Sequence, residues 1–135
     1  MSVFIVITRF RLSDDRHRDD VFEAAVAVFA QATDSFGNLG TEVLPDANDV
    51  FWTRTAWSDR ESMVAFMTTE PLRRAMGHIS EWCNEATYVE WTQENSMFPE
   101  WRLAYDRLVE EGRVTPLPHP SDSHETRSFP PPVES

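Results

Sequence analysis

Apolar residues crowd the start of the chain, where Val3, Phe4, Ile5, Val6, Ile7 and Phe10 surround Thr8 and Arg9. β-Branched and aromatic residues in such a run predict a first strand, apolar on both faces. A strand of that kind needs cover on both sides of its sheet. The chain's own helices can supply one cover, and a second subunit is the obvious source of the other. The period then changes. Ser13-Asp14-Asp15-Arg16 is an N-cap cluster with acids where a helix dipole favours them. Val21, Phe22, Ala25, Val26, Phe29 and Ala32 follow at helical spacing, predicting one apolar helix face that runs to about Asp34.

Gly37 and Gly40 punctuate the helix end, and Leu39 to Leu44 reads as a second strand. Pro45-Asp46-Ala47-Asn48-Asp49 has the composition of a hairpin turn, and Val50 to Trp57 is the third strand. Ser58 or Asp59 caps a second helix with Met63, Phe66 and Met67 on one face. Pro71 allows a restart, and Leu72, Ala75, Met76, Ile79 and Trp82 or Cys83 continue at helical spacing. Thr87 to Gln93 closes the series as a fourth strand. The order β-α-β-β-α-β predicts an α+β, ferredoxin-like fold with a four-stranded antiparallel sheet. Two helices on one face leave the other face bare.

Beyond this core, Pro99 to Gly112 predicts an extra C-terminal helix, with Pro at its start, Gly at its stop and an apolar stripe of Trp101, Leu103 or Ala104, Tyr105 and Leu108. From Thr115 onward, Pro116, Pro118, Pro120 and the run Pro130-Pro131-Pro132 argue against a packed element. The expected organisation is therefore one domain over residues 1–112 and a Pro/Ser-rich extended or disordered tail over 113–135, suited to lie over a neighbouring subunit.

Composition narrows the function classes. At 135 residues the chain is long enough to bury a real core. A net charge of -11 argues against nucleic acid and anionic membranes as partners. No stretch approaches the roughly 20 apolar residues that span a bilayer, and the N-terminus lacks the basic region of a signal peptide. A cytoplasmic location is the default expectation. The sequence contains no lysine, which removes Schiff-base chemistry and a lysine general base; compositional bias is the commonest cause of such a lack. Cys83 is the single cysteine, so it reads as a small buried hydrophobe.

The run Phe51-Trp52-Thr53-Arg54-Thr55-Ala56-Trp57-Ser58-Asp59, followed by Glu61-Ser62-Met63-Val64-Ala65-Phe66, resembles the dimeric α/β-barrel superfamily, and within it the antibiotic-biosynthesis monooxygenases. Pro99 through Ala104, with Arg107-Leu108 and Gly112, is similar to a related group of bacterial domains without assigned function. The resemblance implies a homodimer whose sheets pack into a barrel, with one cavity per subunit between sheet and helices. It also implies chemistry without metal, flavin or haem, in which a substrate carbanion reacts with O₂ while the protein stabilises the developing oxyanion. Cofactors are therefore expected to be none. Quinone-forming members use a strand Asn, a strand-end Trp, a helix Tyr and a helix Arg. Trp57 matches the Trp and Arg73, or Arg74 beside it, the Arg, whereas Thr53 and Met63 stand at the Asn and Tyr positions. The haem-degrading branch uses a first-strand Asn, a Trp on the second helix and a later His as iron ligand; in this chain those positions hold Thr8, Phe66 and Met76, and His78 is displaced by two residues, about 200° around the helix.

These residues also have ordinary structural readings. His78 is weighed as a general base against a surface helix histidine, and no carboxylate partner is recognisable beside it. Trp52, Trp57, Trp82, Trp91 and Trp101 either line a pocket for a flat ligand or fill the core. Arg54 either neutralises an enolate or pairs across strands with Glu90. The acidic pairs Asp14-Asp15 and Asp19-Asp20 and the run Glu110-Glu111 lack metal-ligand spacing.

The candidate site is thus Trp57, Arg73 and Thr53 as catalytic residues, with Met63, Phe66, Met76, His78 and Trp91 lining the pocket. The expected function is a cofactor-independent, monooxygenase-like reaction on a small aromatic or polyketide-like ligand. The alternatives are a non-catalytic small-molecule-binding or stress-associated homodimer, and a haem-binding protein with non-standard ligands.

Overall fold

The computed structural model describes residues 2–95, 97–126 and 128–132. Its elements are β1 (Val3–Leu12), α1 (Arg18–Asp34), β2 (Asn38–Pro45), β3 (Val50–Trp57), α2 (Arg60–Met67), α3 (Leu72–Trp82), β4 (Cys83–Gln93), α4 (Trp101–Glu111), β5 (Arg113–Val114) and α5 (Asp122–Thr126). The predicted ferredoxin-like α+β arrangement is present, with strand order β2-β3-β1-β4 and the short β5 added beside β4. All neighbouring strands are antiparallel. β1 is central, which explains its nearly unbroken apolar sequence, because a strand between two partners and two layers has no solvent face.

Register assigns each side chain to a layer. Phe4 lies opposite Trp57, while Ile5 lies opposite Ala56 and Trp91. Odd and even positions of β1 therefore serve different cores. On the near face α1, α2 and α3 cover Phe4 and Leu12; Phe4, Ala32, Trp57, Met63 and Phe66 form one cluster, and Leu12, Val21, Trp82 and Cys83 another. α2 begins at Asp59, whose carboxylate accepts the Ser62 N–H at 2.7 Å; that hydrogen bond holds the acid below its ordinary value. Gly37 turns the chain into β2 at φ 84, where a Cβ would fall 2.3 Å from Ser62 Oγ.

The far face is where expectation and structure part. It is not left bare. α4 lies over it and packs Trp101, Ala104 and Leu108 against Val3, Ile5, Ile7, Trp52 and Val89. Phe129, from the expected tail, is buried in the same cluster. The α4 stripe was legible, but its docking surface depends on how the chain folds back after β4. The stretch expected as a tail, 113–135, carries β5, which pairs with β4, and the single turn α5; residues 127 and 133–135 lie outside the described residues.

Two further differences have local causes. β4 begins at Cys83 and not at Thr87, because Glu85 and Ala86 already pair with Arg11 and Phe10 of β1. Glu85 breaks the apolar alternation, yet it is buried in an ion pair. α1 turns Val21 and Ala32 inward, leaving Phe22, Val26 and Phe29 exposed. Its apolar residues outnumber those one helix face can bury, so packing selects among them.

Candidate functional site

Between the sheet and α1–α3, Trp57 is fully buried. Its ring lies 5.0 Å from that of Phe66, and Met63 packs in the same cluster. Its indole N–H donates to Thr55 Oγ1 at 2.9 Å. Thr53, two residues back on the same strand face, is half-buried and shares a short hydrogen bond with the hydroxyl of Thr8 on β1. The polar and aromatic atoms expected to meet a substrate here meet each other.

The remaining expected residues do not join them. Arg73 is exposed in the first turn of α3, and Met76 is 44% exposed. His78 is exposed and stacked on Trp82 at 5.0 Å; its Nδ1 lies 3.5 Å from the Glu81 carboxylate, a partner one helical turn away that the sequence reading passed over. Trp91 belongs to the far face, with Arg107 at 4.8 Å over its ring. Trp57 and Trp91 align with Phe4 and Ile5 of β1, adjacent residues that point to opposite faces. One pocket between sheet and helices cannot hold both indoles. Nor does Arg54 pair with Glu90. The two strands are separated by β1; Arg54 binds Glu42 of β2 and donates to Pro99 O at 2.7 Å, while Glu90 lies 3.8 Å from Arg60.

A concavity of mixed polar and apolar lining opens elsewhere, at the end of the far face. Its volume is about 320 Å³, and Arg9, Arg11, Asp46, Asn48, Glu85 and Ser123 are among its walls. Arg9 is 2% exposed and pairs with Glu85 at 2.5 Å. Its guanidinium lies 5.6 Å over the ring of Trp52 and 4.5 Å over that of Phe129. Ser121 Oγ donates to the second Glu85 oxygen at 2.7 Å, and Arg11 Nη1 lies 3.5 Å from it. Burial acts to raise the Glu85 acid. Hydrogen bonds from Arg9 and Ser121, together with the charges of Arg9 and Arg11, outweigh it and hold the carboxyl below its ordinary value. Arg9 and Arg11 stand against Glu85 and Asp46 in these walls, so the formal charges balance, and Arg11 is 38% exposed at the rim.

The β2–β3 connection forms the opposite wall. Asn48 and Asp49 have φ 62 and φ 63, which places two consecutive non-glycine residues in the left-handed region. Asn48 O accepts from Arg11 Nε at 3.0 Å, and Asp46 accepts from the Trp52 indole N–H at 3.0 Å. Sequence reasoning missed this site. Arg9 and Arg11 are visible in β1, but their partner Glu85 lies 76 and 74 residues away, in a stretch read as helix–strand connection.

No family model matches the sequence, and no curated protein matches it. Solved structures do. One is a candidate antibiotic biosynthesis monooxygenase from Nitrosomonas europaea, with TM-score 0.63 and 17% identity over 71% of this chain and 94% of that one. Another is a Bacteroides thetaiotaomicron protein of unknown function described as a possible oxidoreductase, with TM-score 0.60 and 20% identity over 68% of this chain and 98% of that one. A further candidate antibiotic biosynthesis monooxygenase, from Chloroflexus aurantiacus, gives TM-score 0.57 and 18% identity over 71% and 97%.

Proposed function

For a chain with the fold of the monooxygenase-like dimeric α/β barrels, we propose a small-molecule-binding role without oxygenase chemistry at the strand-end tryptophan. The observation that carries this reading is the complete burial of Trp57 beneath Phe66 and Met63. Direct reaction of a substrate carbanion with O₂ needs room for the substrate and a cation or donor at the developing oxyanion. Trp57 offers its one N–H to Thr55, Thr53 is bonded to Thr8, and Arg73 sits in solvent. The fold is shared with those neighbours; at below 25% identity the likeness carries no activity over to this chain.

The ligand seat in this reading is the concavity of Arg9, Arg11 and Glu85. Its 320 Å³ falls at the small end of ligand pockets, which run to about 1,000 Å³. Arg11 is the cation that a ligand can reach, so the ligand is a small molecule bearing a carboxylate. Arg9 and Glu85 hold the floor rigid.

Two measurements test the reading. Thermal-shift and calorimetric titration against a panel of small mono- and dicarboxylates should give binding that Arg11→Ala removes. Oxygen uptake with a panel of anthrones and hydroquinones should stay at the uncatalysed rate. Uptake that is lost in Trp57→Phe or Arg73→Ala would restore the oxygenase reading and reject this one.

A further inference from the structure

The layer over the far face comes entirely from the chain's own C-terminal segment. Val3, Ile5, Ile7, Trp52 and Val89 are each at most 4% exposed and share one cluster with α4 and Phe129, so lifting that cover would open an apolar surface. Such a sheet face would attract a second copy of the same surface.

Three sets of contacts hold the segment down. At its start, Arg54 donates to Pro99 O and lies between the rings of Phe98, at 4.8 Å, and Trp101, at 4.4 Å. Along α4, Trp101, Ala104 and Leu108 recur at spacings of three and four, and the Trp101 and Tyr105 rings lie 6.5 and 6.4 Å from that of Trp52. At its end, Thr115 N–H donates to Ala86 O at 2.9 Å and Ser121 N–H to Asn84 O at 3.0 Å. The buried His124 ring accepts the Ala86 N–H through Nδ1 at 3.3 Å, and its Nε2 lies 3.0 Å from Thr115 O. Tyr105 ties α4 to the end of the segment through a 2.8 Å bond to Phe129 O.

The connection from β4 is short and turned back on its own strand. Gln93, the last residue of β4, donates to Met97 O at 2.7 Å and Asn95 O at 3.0 Å. A tether of this length gives α4 a local concentration on the order of millimolar, above that of a second chain in dilute solution. The solved neighbours match over 94% and 98% of their own length while covering only 71% and 68% of this chain. β1 to β4, residues 3–93, make up a similar share. About 30% of this chain, a stretch as long as the covering segment with its connection, thus lies outside each match.

We propose that α4 and the following segment are a built-in partner, closing in cis the sheet face that would otherwise pair with a second copy of this chain. The chain is then a monomer, and pairing through the sheet appears only when the segment is displaced. This inference does not depend on the ligand reading above.

Light scattering coupled to size exclusion tests it on the full chain. The wild type should give the single-chain mass of 15.6 kDa across micromolar concentrations. Leu108→Glu puts a charge into the α4 contact and should give twice that mass, with the far-UV circular dichroism of the sheet retained. Phe129→Ala is the milder companion if Leu108→Glu fails to fold; its dimer fraction should rise with concentration. Phe29→Glu, on the exposed side of α1, should change neither pattern. A wild-type dimer overturns the proposal. So does a single-chain mass for both displaced variants, or a Leu108→Glu dimer that Phe29→Glu dissolves.

Discussion

Replacing Glu85 by alanine removes the anion that two arginines and a serine share, and leaves Arg9 charged at 2% exposure. Arg9 already has one buried guanidinium nitrogen, Nε, without a hydrogen-bond partner among the described residues. The variant would add the nitrogen that now meets Glu85. Removing one member of a buried pair costs about 3–5 kcal/mol, because the other charge stays desolvated. A domain of this size is stable by about 5–15 kcal/mol, so the loss is roughly a fifth of the total or more. It should lower the midpoint of thermal unfolding by on the order of 10 °C. Urea unfolding followed by tryptophan fluorescence reads the change directly.

The double variant Arg9→Met/Glu85→Leu removes both charges and should recover most of the loss. The pH dependence has a definite sign. The folded-state acid of Glu85 is depressed, so its contribution is present above the unfolded carboxylate value, near 4.3, and fades as pH falls through the folded one. The gap between wild type and Glu85→Ala should therefore be constant near neutrality and shrink in acid. A loss below 1 kcal/mol at pH 7, or a double variant as unstable as the single one, would refute the reasoning.

Phe66→Ala should cost about 3–5 kcal/mol by opening a cavity beside Trp57, and denaturant unfolding measures it. Asp59→Ala removes the α2 cap and should lower the unfolding midpoint in the same assay by less than Phe66→Ala does. Asn48→Gly relieves a left-handed backbone position; where only that strain matters, it should raise stability by up to about 1 kcal/mol. Cys83 is buried, and burial pushes its thiol up to about 12. It should react with a disulfide reagent at pH 8 only after denaturation, which a timed absorbance assay distinguishes.

The order of elements was legible because it rests on local periodicity. β1 with its paired apolar faces, the Asp-rich turn before Val50, Asp59 at the start of α2 and the α4 stripe of Trp101, Ala104 and Leu108 all reappear in the structure. The resemblance carried by Phe51 to Phe66 was borne out as a fold. Site geometry was less legible, since it depends on which strand face a residue joins and which partner arrives there. Trp57 and Trp91 look equivalent along their strands, yet registers one residue apart on β1 send them to opposite layers. Arg9 and Glu85 look like breaks in two apolar patterns until antiparallel pairing brings them together. Most elements, and the need to cover both faces of the sheet, could be read along the chain, because periodicity and amphipathicity are local. That α4 and Phe129 provide the second cover emerges with the assembled fold, because the path after β4 and the competition between cis and trans packing belong to the whole chain.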